Sequence, residues 1–174
     1  MPKVTTYISD NTEVSIATQI SSAISECSLR FGIEEELIRA FIQKESDGVA
    51  TAMRYEPQLR RAKWYKNTLP KDELDNDFAY YSIGLMQTLW GIARSYGFKG
   101  SPFDMIDPKV SIYYGCKHLS VLMKKYRSLS DAISAYNQGS PRKDKETGLY
   151  LNQRYVDFVL RYYRKIKKSG TATS

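Results

Sequence analysis

The run Ile33–Ser46, IEEELIRAFIQKES, constrains the fold more than any other stretch of the chain. Ile33, Leu37, Ile38, Phe41 and Ile42 recur at helical spacing, which predicts an amphipathic helix with one apolar face. At about 100° per residue, Glu45 returns near the middle of that face, whereas Glu35, Glu36, Arg39 and Lys44 point elsewhere. An acid at the end of a buried stripe has two readings. It is a carboxyl kept short of water, whose raised pKa suits a general acid working near neutral pH. Alternatively it sits just past the last buried turn, exposed or paired with a Lys or Arg. The helix alone leaves both open.

The remaining pattern is also mainly helical. A chain of 174 residues supports one domain with a sizeable core, expected to span 1–174 with its core at about 12–168 and a frayed C-terminal tail. Thr12 or Asn11 is placed to cap a helix running through Phe31, which Gly32 stops. Gly84–Gly97 shows helical period again, with Met86, Leu89, Trp90 and Ala93 on one face. Asp107-Pro108 supplies a cap and a first-turn proline for a helix to about Tyr126. Ser130 caps a short helix through Tyr136 or Asn137, and Leu151–Lys168 is a last amphipathic helix. Between Met53 and Tyr65 the pattern fails. Pro57 bars a helix through it, although Gln58–Lys66 can start one there. Asn67–Asp77 reads as a surface excursion, a candidate flap over a cleft. The fold class is mainly α, with little or no β-sheet.

The net charge of +7 points to a polyanionic partner without choosing among nucleic acid, anionic membrane and acidic wall polymer. Fourteen tyrosines suit both cores and sugar-stacking surfaces. Cys27 and Cys116 each share a helical stripe with apolar residues, so buried free thiols are expected of both. His118 lacks a partner at metal-ligand spacing, and no cofactor or metal is implied. Met1–Asp10 has no hydrophobic run, which predicts neither a signal peptide nor a stable membrane insertion.

Four short pieces carry the chemistry: Glu45-Ser46 at a helix end, Gly84-Leu85-Met86-Gln87 opening a later helix, Ala135-Tyr136-Asn137 near a helix end, and Tyr155-Val156 in the last helix. In this order, with Asp107–Tyr126 between the second and third, they resemble the goose-type lysozyme and soluble lytic transglycosylase family over about Ile16–Ile166. The resemblance implies a lysozyme-like helical fold and cleavage of the MurNAc-β-1,4-GlcNAc bond of bacterial peptidoglycan. It also implies roles. Glu45 matches the catalytic glutamate, and Ser46 the residue that helps hold the helix end. Met86 and Gln87 match a cleft lining, Tyr136 and Asn137 a hydroxyl near the acid and an amide-binding group, and Tyr155 a cleft-floor tyrosine. Each of Met86, Tyr136 and Tyr155, taken singly, also reads as plain core.

Ordinary glycosidases use two carboxylates. Goose-type lysozymes carry an aspartate two places beyond the glutamine of the second motif, where this chain has Leu89, and no acid lies from Gly84 to Lys99. A lytic transglycosylase needs one glutamate, which favours the lyase over the hydrolase and predicts a 1,6-anhydro product. Two features depart from the family pattern. Arg54 stands where a cleft serine is common, leaving Ser82 to take that part. The segment before the second motif also brings Glu56, Glu73, Asp75 and Asp77, any of which can supply a second carboxylate and restore hydrolysis.

The expected partner is the peptidoglycan glycan strand, with no nucleic acid and a monomeric enzyme. The setting suggested is a bacteriophage lysin of the endolysin type, virion-associated or released through a holin. From other classes, the alternatives are a basic helical nucleic-acid-binding module and a glycan-binding domain without catalysis.

Overall fold

The computed structural model describes residues 15–171. The Asn11 or Thr12 cap and the irregular lead-in expected for Met1–Asp10 lie outside the described residues. Helix α1 (Ile16–Phe31) is capped by Ser15, whose Oγ accepts from the Thr18 N–H, and ends at Gly32 in the left-handed conformation. Helix α2 (Glu35–Ser46) follows at once and buries Leu37, Ile38, Ala40, Phe41 and Ile42. The stripe read from the sequence is therefore the face that enters the core.

A three-stranded antiparallel sheet comes next, with β1 (Met53–Tyr55), β2 (Tyr81–Ile83) and β3 (Thr88–Leu89) in that spatial order. Arg54 pairs with Ser82, and Ile83 with Thr88. Residues 57–80 form the excursion between β1 and β2. It holds a 3-10 turn at Pro57–Arg61, the short helix α3 (Lys63–Lys66), and further 3-10 turns at Lys71–Glu73 and Asp77–Tyr80. The single helix expected over Gln58–Lys66 is split at Ala62, whose extended backbone (φ −80°, ψ 100°) separates the 3-10 turn from α3.

Gly84–Gln87 does not open a helix as its period suggested. It is the turn joining β2 to β3, with Gly84 (φ 78°) and Gln87 (φ 45°) both left-handed. Gly84 also has no room for a side chain, because a Cβ there would stand 2.4 Å from the Met105 carbonyl and the Ser111 hydroxyl. The helical period belongs only to α4 (Trp90–Ser95).

Asp107 caps α5 (Pro108–Lys125) by accepting from the Lys109 and Val110 N–H groups. Helix α6 is Leu129–Gln138, with Ser128 at its N-cap, two residues before the Ser130 cap expected, and α7 is Gln153–Thr171. The main core gathers the inner faces of α1, α2, α5, α6 and α7 around Leu85 and Met86 from the β2–β3 turn. Cys27 and Cys116 are both buried, unpaired thiols within it. A second core joins the excursion to α4 through Tyr65, Leu69, Ala79, Tyr80, Trp90 and Met105.

Glu73 and Arg94 link that second core electrostatically, at 2.6 Å and with the carboxylate almost fully buried. Arg94 also donates to the Phe98 carbonyl at 2.7 Å. A buried charge whose partner is deleted keeps its desolvation cost without compensation. Arg94→Ala should therefore destabilise the fold by about 3–5 kcal/mol in urea unfolding. Glu73→Gln combined with Arg94→Met should recover most of that loss.

Candidate functional site

Glu45 occupies the last turn of α2, one residue before Ser46. The Ser46 hydroxyl donates to the Leu85 carbonyl at 2.8 Å, tying the end of α2 to the β2–β3 turn. The same turn is held from three further directions. Tyr136 on α6 donates to the Met86 carbonyl at 2.9 Å. Ser111 on α5 accepts from the Met86 N–H at 3.4 Å. The Gln87 amide donates to the carbonyls of Ala52 and Gly84, at 2.9 and 3.0 Å. The geometry around Glu45 thus rests on backbone groups that α2, α5 and α6 satisfy together.

The Glu45 carboxyl is only partly exposed, and Oε1 accepts a short hydrogen bond from the Tyr155 hydroxyl of α7. Desolvation raises its pKa from 4.5 to about 7; the Tyr155 bond and the Arg54 and Lys44 charges oppose that rise, and the Glu56 charge adds to it. A carboxyl so placed is half-protonated near neutrality, able to release a proton and to take one back.

The residues expected at the site fall into two groups. Glu45, Tyr155 and Tyr136 converge, and Asn137 follows Tyr136 at the end of α6. Tyr136 packs against Phe41 at 4.7 Å between ring centroids. Because its proton goes to Met86, the Thr88 hydroxyl donates to its oxygen at 3.3 Å. Burial and the Glu45 charge push its pKa well above the usual tyrosine value. Asn137 is exposed, with Oδ1 accepting from Asn152 Nδ2 at 3.0 Å.

Ser46, Met86, Gln87 and Ser82 are supports rather than surfaces for a ligand. Met86 is corrected outright as a cleft lining: its side chain is 0 % exposed and packs with Cys116 and Gly115 in the core. Ser46 and Gln87 spend their donors on backbone carbonyls, and the Ser82 hydroxyl donates to Glu56 at 3.3 Å. Tyr155, rather than Tyr136, supplies the hydroxyl bonded to the acid.

Of the four acids in the added segment, Glu56 is the one whose charge registers at Glu45. It accepts from Arg54, Gln58 and Ser82. Glu73 is locked to Arg94, Asp77 pairs with Arg60, and Asp75 is exposed. Sequence reading missed Thr88 and Asn152, which lie outside the motifs; Thr88 bonds Tyr136, and Asn152 bonds Asn137 and Ser134. His118 is a packing residue. Burial lowers its pKa to about 4, so it is neutral at physiological pH, and it bonds Tyr96 and stacks near Tyr136. A hollow of about 800 Å³ beside α1 and α5 is lined by none of these residues.

The domain is helical, with a desolvated glutamate at the end of its second helix beside a hairpin turn and two tyrosines. The Transglycosylase SLT domain family matches residues 22–155. The chain belongs to that family. No solved structure gave a significant match. The SLT domain is lysozyme-like and mainly α, and its family places the chain among transglycosylases that act on peptidoglycan of the bacterial cell wall. The small sheet is the one β element of the described residues, apart from an isolated bridge at Lys143 and Tyr150.

The raised pKa of Glu45 in the SLT domain has a sign that can be checked. The folded protein binds this proton more tightly than the unfolded chain, so the carboxyl costs no stability below about pH 4.5 and progressively more as pH rises through about 7. Glu45→Gln should accordingly be more stable than the parent at pH 8–9, by roughly 2–3 kcal/mol in urea unfolding. The gap should close as pH approaches 4.5. Tyr155→Phe removes the bond favouring the carboxylate. It should move the alkaline limb of the pH–activity profile upward.

Proposed function

We propose that this domain is a lytic transglycosylase that cleaves the MurNAc-β-1,4-GlcNAc bond with Glu45 as sole acid and base. The observation that carries the reading is the balance at Glu45, where burial raises the pKa to about 7 while Tyr155 stabilises the ionised form. Protonated Glu45 donates to the leaving glycosidic oxygen as the C1–O bond breaks. The resulting carboxylate, held by the Tyr155 hydroxyl, takes the proton from the 6-hydroxyl of the same MurNAc. O6 then closes on C1 to give the 1,6-anhydro ring. No water is consumed, and Glu45 ends as it began. The substrate N-acetyl group can support positive charge at C1, as in substrate-assisted glycosidases.

Asn137, exposed and with Oδ1 occupied by Asn152, offers Nδ2 to a sugar N-acetyl carbonyl. Ser46, Ser82, Met86, Gln87 and Tyr136 act in this scheme by fixing the wall of the groove. Neither step calls for a cofactor. Among the described residues, no group of His, Cys, Asp and Glu is arranged to hold a metal, and no helix is long and apolar enough to cross a membrane. The basic residues Arg161, Arg164 and Lys165 on α7 suit an anionic wall. A phage lysin, virion-borne or released through a holin, is the setting we infer from the resemblance, acting as a single domain and a monomer.

Hydrolysis of the same bond is the second reading, and Glu56 favours it. A carboxylate on the sheet beside Glu45, whose charge Glu45 feels, is a candidate for positioning water. Purified sacculi digested to soluble muropeptides and weighed separate the two. Anhydro-ended products, lighter by one water, are expected, whereas reducing ends would make the enzyme a muramidase. Glu45→Gln should lower release by at least about 10²-fold while retaining binding to sacculi. Unimpaired release by that variant would remove Glu45 from the chemistry.

A further inference from the structure

Trp64 has no part in the scheme above, yet its position ties the two banks of the groove together. It lies on α3 within the excursion, and 46 % of it is exposed. Its ring is braced edge-on by Tyr65, at 5.7 Å between centroids. Tyr65 is fully buried and donates to the Ala79 carbonyl, so the brace belongs to the second core. On its other side the indole rests on Gly139, the left-handed C-cap of α6 (φ 80°). A Cβ on Gly139 would stand 2.6 Å from Cη2, 2.7 Å from Cζ2 and 2.9 Å from Cζ3 of Trp64.

Gly139 follows Asn137 and Tyr136 closely on the same helix end. The sheet bank carries Arg54 and Glu56 beside Glu45, and the α6 bank carries Asn137. The excursion leaves the sheet bank after β1 and touches the α6 bank through Trp64. With 46 % of it exposed, the indole presents apolar ring surface of the kind that matches the apolar face of a pyranose ring.

Taking the peptidoglycan-cleaving reading as its basis, we propose that Trp64 determines how a β-1,4-linked N-acetylated glycan enters the groove. Its exposed face stacks on a sugar, and its contact with Gly139 bars that end of the groove. The strand is therefore engaged from a chain end and shortened stepwise, rather than cut at interior bonds.

The test uses the full chain in the Glu45→Gln background, which prevents turnover. N-acetylglucosamine hexamer is titrated while tryptophan emission and calorimetric heat are followed. The other tryptophan, Trp90, is 5 % exposed and supplies a steady background. The hexamer should change the emission, and Trp64→Phe should abolish that change. Trp64→Leu, which fills space without an aromatic face, should weaken binding roughly five- to tenfold. In the active protein, early digests of sacculi should contain anhydro-disaccharide units while mean strand length falls slowly. Trp64→Leu should release longer oligomers and shorten the strands quickly.

Hexamer binding with unchanged emission, or Trp64→Leu matching the parent in affinity and product lengths at an equal melting temperature, would overturn the proposal and leave the cleavage reading intact. Where a Trp64→Leu chain does not fold, the emission of the chain that keeps Trp64 decides, and hexamer binding that leaves it unchanged counts against the proposal. A parent protein that neither cleaves sacculi nor binds the hexamer would instead overturn both.

Discussion

The carbonyls of Leu85 and Met86 are the points on which the site depends. They belong to a turn whose two side chains are wholly buried, so these backbone oxygens need protein partners. Ser46 satisfies one from the end of α2, and Tyr136 satisfies the other from the end of α6. Because Ser46 follows Glu45 directly, the bond that satisfies Leu85 also fixes the depth at which the carboxyl sits. Because Tyr136 precedes Asn137, the bond that satisfies Met86 fixes the far side of the groove. Two helix ends distant in sequence are thereby set by one short turn.

That arrangement sets opposing influences on Glu45 against one another, with burial prevailing. Surrounding protein takes water from the carboxyl and favours its neutral form, while the Tyr155 hydroxyl and the Arg54 and Lys44 charges favour the ionised form. Either influence alone would leave a group suited only to giving or only to accepting a proton. With both present, the two protonation states lie close in free energy near neutral pH, which is the condition for one residue to serve as acid and then as base. Tyr155 pays for this with its own ionisation. Burial and the neighbouring carboxylate raise its pKa far above the ordinary tyrosine range, so it remains a donor.

Much of this could be read from the sequence because the relevant patterns are local. The α2 stripe places Glu45 by periodicity alone, Asp107-Pro108 marks the start of α5, and the two cysteines lie on apolar stripes that prove buried. Reading failed where long-range geometry overrides local period. Met86, Leu89, Trp90 and Ala93 do repeat helically, yet Gly84 and Gln87 take left-handed backbone and make a hairpin turn instead. Motif position likewise singled out Met86, Gln87 and Ser46 without revealing their burial or their partners. Ser46 and Gln87 donate to backbone carbonyls 39 and 35 residues away, and no spacing rule encodes those partners.

The excursion before the β2–β3 turn shows the same limit from the other side. Its Asn67–Asp77 stretch reads as a surface flap, but within it Leu69 and Glu73 are buried and Glu73 is neutralised by Arg94. A flap built on its own core is a rigid wall. Its rigidity has a consequence at the site, since β1 is held by the same segment that carries Trp64. Arg54 on β1 and Glu56 just after it, joined by their own ion pair, act on the Glu45 carboxyl with opposite signs. The basic guanidinium outweighs the acidic neighbour, and both act less on the proton affinity than burial and Tyr155 do. An unanchored loop would let either charge drift toward the carboxyl and bias it to one state.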